Sequence, residues 1–354
     1  MKIIISIIAV LILFAVRCSA SELQIPEIEG YDMFSATARE IVNGSFSLKP
    51  TDIINSVAEM SMGEIRRFAA NSAVILVLAM LSSTVCNLNY GLGENSSGRA
   101  AFFTFFTVIS GMALNCFSTA LSYGTEVMSH MAGFMNKLTP VLMLMLSACC
   151  KPVGAASFQP VLSGAVFVVS VVLERCLVPL MTFSAVLAVA GNVGDKARIS
   201  GFVSIIKSVT RWIMAFIITL FTGINAIYGF TSRSLDAVSA KTVKFAVGSL
   251  VPVVGGFLSD TLDTVISSAS LLKNAVGVSG IIIMCGICVL PIIKIGVMQL
   301  MLRFVSAIVE PVTDSRISSM LREVSEAVTT VFGMVILTSV LFLINICIVL
   351  AATG

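Results

Sequence analysis

From Ala69 onward the chain is a succession of apolar stretches separated by short connectors, and this patterning restricts the fold more than any other feature. Ala69 to Leu88, Ala101 to Ser122, Arg211 to Phe230 and Val328 to Ala352 each approach the ~20 residues that carry a helix across a hydrocarbon layer. Two further stretches have interruptions. Val161 to Ala190 contains Glu174, Arg175 and Pro179, and Val276 to Met301 contains Pro291 and Lys294. With 57% hydrophobic and only 12% charged residues, the chain cannot coat a water-soluble globule of 354 residues. The expected fold is an all-α polytopic membrane protein with six to eight transmembrane or re-entrant segments.

Phe134 to Cys150 holds Pro140, and Val243 to Leu258 holds Pro252, Gly255 and Gly256; both are too short and too broken for comfortable spans. Non-helical backbone at membrane depth survives only beside protein or a water-filled cavity, so these segments read either as dips around a pathway or as kinked spans. One offset separates Pro140 from Pro252 and Pro179 from Pro291, which suggests an internal repeat. The candidate pathway residues are therefore Pro140, Pro179, Pro252, Gly255, Gly256 and Pro291, joined by the membrane-depth charges Glu174 and Lys294. For those two charges, snorkelling to the interface is the competing reading.

The N-terminus has Lys2, an apolar run from Ile3 to Val16, and small residues at Cys18 and Ala20. This is the pattern of a signal peptide over residues 1–20, with a retained anchor as the alternative. Residues 21–68 then form an extracytoplasmic region ahead of a membrane domain at 69–354. Within that region Lys49-Pro50-Thr51-Asp52 opens an amphipathic helix whose face carries Ile53, Ile54, Val57 and Met60. That face either lies on the membrane or docks a partner protein.

Loop charge orients the chain. Lys196, Arg198, Lys207 and Arg211 mark one connector as cytoplasmic, and Arg303, Arg316 and Arg322 mark another. Six crossings with two dips place both inside; eight crossings place Lys196 outside. Both arrangements leave the C-terminus outside.

The chemical inventory is thin. A single His and a net charge of +3 without a basic block argue against an ordinary enzyme and against nucleic-acid binding. Cys285 and Cys288 have redox or metal spacing, but no second pair or His stands near them in sequence, so they read as packing residues. No catalytic, metal or cofactor site is expected.

The stretch beginning Lys244-Phe245-Ala246-Val247-Gly248 and running through Val251-Pro252-Val253-Val254-Gly255-Gly256-Phe257-Leu258-Ser259-Asp260, followed by Asp263-Thr264-Val265 and Leu272-Lys273-Asn274, resembles the signature region of the stage III sporulation protein AE family. The resemblance extends in character over most of the chain after Ala69. It implies a role in endospore formation, in the mother-cell membrane that surrounds the forespore. There the family belongs to a multiprotein channel or secretion-like apparatus that supports late forespore gene expression, and it has been likened to a permease. The implied partners are other proteins of the stage III sporulation membrane complex and the lipid bilayer, with a homo-oligomer also compatible. A secondary transporter for a small metabolite and a non-conducting scaffold are the alternatives.

Overall fold

The computed structural model describes residues 50–91, 96–148, 152–193, 201–224 and 255–351. Among these, every regular element is helical: α1 (Pro50–Gly91), α2 (Ser96–Ala148), α3 (Pro152–Val172), a π-helical turn (Leu173–Leu177), α4 (Val178–Val193), α5 (Gly201–Ile224), α6 (Gly255–Val309) and α7 (Ser315–Ala351). Six helical stretches are long and apolar enough to cross a membrane: Ile65–Val85, Ala100–Ser147, Pro160–Asn192, Gly201–Ile224, Asn274–Val309 and Ser315–Leu350. They coincide with the six apolar stretches of the sequence. The expected signal peptide and Pro252 lie outside the described residues.

Local chemistry sets several of the boundaries. α1 and α3 begin on Pro50 and Pro152, where a missing N–H costs nothing because the first turn has no acceptor for it. α6 ends as the chain reaches Pro311. After a tight turn, Asp314 caps α7, its Oδ1 accepting from the Arg316 N–H at 2.8 Å.

α2, α6 and α7 pack on one another to form the centre. Their shared core includes Met131, Met135 and Leu142 of α2, Met284, Ile295 and Met298 of α6, and Val331, Val335 and Phe342 of α7. Missing side chains bring the helices together. A Cβ on Gly124 would lie 2.9 Å from Cγ1 of Val331, and one on Gly296 would lie 3.1 Å from Cε2 of Phe332. α1 lies against α2 and α6, while α3 and α4 lie against α2 and α7.

Cross-contacts collect one set of ends at the same end of the bundle. Ser83 of α1 donates to the Val312 carbonyl, and Thr313 Oγ1 donates to the Ala79 carbonyl at 3.4 Å. Arg316 lies 5.9 Å from the ring centroid of Phe102 near the start of α2, and Lys207 Nζ bridges to Glu326 Oε2 at 2.7 Å near the start of α5. The Lys207 and Arg316 connectors therefore share an end, as the six-crossing topology requires.

Of the two readings of Phe134–Cys150, a dip or a kinked span, the structure has the continuous helix of the second. Pro140 lies inside continuous α2, and Pro291 lies inside continuous α6. A proline removes one helical hydrogen bond and bends the axis, but neighbouring helices hold both segments in register through contacts such as Leu138 against Gly280. The suggested repeat is not mirrored locally: Pro179 follows a π-turn, whereas Pro291 sits in regular α-helix. The amphipathic helix expected at Pro50 is continuous with the first span.

Candidate functional site

Pro179 has no N–H to offer the Arg175 carbonyl one turn before it. The helix accommodates this by widening: the Val178 N–H reaches back to the Leu173 carbonyl, an i→i−5 bond that closes a π-turn. Leu173 and Leu177 stay buried, while Glu174, Arg175 and Cys176 are all turned outward. Three consecutive residues span about 200° of a helix, and an outer helix can present that much of its surface outward, as Ile218, Thr219 and Leu220 also do.

Glu174 thereby faces α2. With Val178 it forms one wall of an open groove of about 480 Å³, and Ser122, Thr125, Glu126 and Ser129 form the other. These α2 residues fall at i, i+3, i+4 and i+7, the spacing of one helix face. Thr125 returns its hydroxyl to the Ser122 carbonyl at 3.0 Å. The groove is thus lined by two carboxylates and hydroxyl groups.

Its level in the bundle follows from Gly124. That residue abuts Val331 and Val335 of α7 and Ile295 of α6, and α7 carries no charged residue from Ala327 to its end. Glu126 and Glu174 therefore lie level with the start of the charge-free half of α7. On the neighbouring face, Lys294 Nζ of α6 stands 5.4 Å from the ring centroid of Tyr123. The flat ring provides a favourable electrostatic surface for the ammonium group.

A smaller cavity of about 100 Å³ lies between α1, α2 and α6. Asn71 and Ser72 contribute polar groups from α1, Asn115 and Thr119 from α2, and Met298 and Leu302 line the α6 side. Asn115 precedes Ser122 by two helical turns on the same side of α2.

Of the residues singled out in the sequence, Glu174 is in the groove and Lys294 lies beside it through Tyr123. Pro179 acts indirectly, through the π-turn. Pro140 is exposed on α2 and Pro291 is half-buried in α6, so the structure does not gather the prolines into one site. Gly255 and Gly256 open α6. Ile53, Ile54, Val57 and Met60 lie in the first turns of α1, and their side-chain surroundings fall outside the described residues. Sequence reasoning passed over Glu126, Ser122, Thr125 and Ser129. The three-and-four spacing of polar residues along α2 was the signal that could have found them.

No group of three or more His, Cys, Asp or Glu residues among the described residues could hold a metal ion. Cys285 and Cys288 share a single turn, the Cys288 thiol lying 3.5 Å from the Cys285 carbonyl, and both are free thiols.

Six membrane-length helices and a centre built from three of them define a multi-pass α-helical membrane protein. A family model described as Stage III sporulation protein AE matches residues 33–353. The chain belongs to that family. It is similar to stage III sporulation protein AE of Bacillus subtilis (strain 168), with 24% identity over 313 residues, covering 88% of this chain and 78% of the relative. No solved structure matches.

Proposed function

We propose that this chain is a non-enzymatic membrane component of a channel or secretion-like complex joining mother cell and forespore, placed in the mother-cell membrane around the forespore. Family membership supports the sporulation role. The observation that carries the conduit reading is the Glu126–Glu174 groove, because a lipid-facing surface has no use for two carboxylates flanked by hydroxyls. Its partners on this reading are the other proteins of the stage III sporulation complex.

The test is the double variant Glu126→Gln, Glu174→Gln, which keeps shape and removes charge. The expected result is normal accumulation in the membrane with loss of late forespore gene expression. Unimpaired late expression in the double variant overturns the reading.

The same two carboxylates favour a second reading, a secondary transporter in which they couple solute movement to a cation. That reading requires solute- or ion-dependent protection of cysteine probes placed beside the groove. A channel component gives access to such probes without any solute.

A further inference from the structure

Sulfur side chains gather around the small cavity between α1, α2 and α6. Eighteen Met and nine Cys are a small minority of the 354 residues, yet Met112, Cys116, Met298 and Met301 make up four of the eleven residues that line this space. Met112 and Cys116 stand at i and i+4 on α2, and Met298 and Met301 at i and i+3 on α6, so each helix turns one sulfur-bearing face toward the cavity. Cys116 is a free thiol. All four residues lie within membrane-length helical stretches.

The cavity has a mouth and a floor. Asn71 and Asn115 are exposed and mark the mouth, whereas Met298 is fully buried and marks the floor. Its volume of about 100 Å³ exceeds what one bound atom or water needs. Water is well served at the mouth, where amides and hydroxyls offer partners. A thioether is only a weak acceptor and donates nothing, so the floor gives water little hold. Packing alone is also a poor account of the space: methionine is the side chain best able to fill a gap, and here three of them surround one that stays open.

We propose that this cavity binds one soft monovalent cation, copper(I), through the Cys116 sulfur and the thioethers of Met112, Met298 and Met301. Thiolate and thioether donors select copper(I) over harder ions. Charge favours the same ion. Binding replaces the S–H bond of Cys116 with an S–Cu bond, the proton passes to water at the mouth, and copper keeps its +1 state. Thiolate and cation then cancel, which removes most of the cost of placing a charge among apolar helices. A dication would remain charged there, and among the described residues no His or carboxylate lines the cavity to complete its shell. Three rotatable bonds let each methionine bring its sulfur to the ion without moving its helix. The site stands on its own residues and is independent of the conduit reading.

The experiment uses the full chain in detergent, with every cysteine except Cys116 replaced by alanine so that Cys285 and Cys288 cannot compete for the metal. Titrated with copper(I) under reducing conditions against a chromophoric chelator, this protein should take up one equivalent. Met112→Leu with Met301→Leu keeps the apolar volume and removes two donors. Its affinity should fall by at least about tenfold, the least that disturbing even a ligand's outer partner usually costs. Met320→Leu, buried in α7 outside the cavity lining, should match its parent. X-ray absorption at the copper edge should show a first shell of sulfur only. No uptake, unchanged affinity in the Met112→Leu, Met301→Leu variant, or nitrogen or oxygen in that shell overturns the proposal. Should the double variant fail to fold, the absorption spectrum of its parent still decides.

Discussion

Gly124 and Val331 are in contact because the first has no side chain: a Cβ on Gly124 would stand 2.9 Å from Cγ1 of Val331, inside van der Waals distance. α2 and α7 meet at that point with Ile295 of α6 close by, so the three central helices share it. Gly124→Val should lower stability by about 1–3 kcal/mol, the usual cost of overpacking a filled core. Gly164→Ala is the control, since nothing lies within 4 Å of its added Cβ. Thermal unfolding of both variants in detergent gives the comparison, and equal melting temperatures would sink the assignment of Gly124 as a packing notch.

The π-turn makes a prediction that a substitution cannot. Such a turn holds one residue more than the α-helix around it, so deleting Cys176 should let Leu173 and Val178 rejoin in regular helix. The deletion variant should accumulate in the membrane but be less stable by about 3 kcal/mol, because Pro179 then sits in regular helix without the widened turn. Deleting a residue from the middle of α3 shifts a buried face and should abolish accumulation. Equal loss of protein in both deletions would show that the widened turn is not a removable insertion.

The Lys294–Tyr123 contact should depend on the ring and not on the hydroxyl. Tyr123→Phe keeps the aromatic face and should match the parent protein, whereas Tyr123→Leu should cost about 0.5–2 kcal/mol. Unfolding of the two variants side by side separates these outcomes. A larger loss for Tyr123→Phe than for Tyr123→Leu refutes the ring contact.

Lys207 and Glu326 pair at 2.7 Å, but the Glu326 side chain is 55% exposed, so solvent and salt weaken the pair. Its coupling energy in a double-mutant cycle should be no more than about 1 kcal/mol. That energy should shrink as salt is added. A value of several kcal/mol, insensitive to salt, would mean the pair is sealed from water.

The six membrane-length helices were legible because length and hydropathy are properties of consecutive residues, and bilayer thickness fixes the threshold. Connector charge was legible for the same reason, and it correctly joined Lys207 and Arg316 to one end. Whether Pro140 marks a dip or only a kink was left open by the sequence, and Pro291 showed there only as an interruption in a span. A proline's local cost is visible in sequence, whereas the packing that offsets it, Leu138 on Gly280 for example, comes from a helix more than a hundred residues away. The groove was hidden for a related reason. Glu174 stood out as a charge within an apolar stretch, but Glu126 joins it only through the packing of α2 against its neighbours, since along α2 it stands among serines, a threonine and a histidine and looks like the start of a connector.

The 53 residues of α2 and the 55 of α6 correspond to rods of about 80 Å at 1.5 Å per residue, far more than a bilayer's hydrocarbon needs. Neither helix has a hinge loop along that length, and α7 clamps both. The junction near Gly124, where α2, α6 and α7 meet, is thus the stiff point of the centre, and beyond it each long rod has one place where its axis can give: Pro140 in α2 and Pro291 in α6.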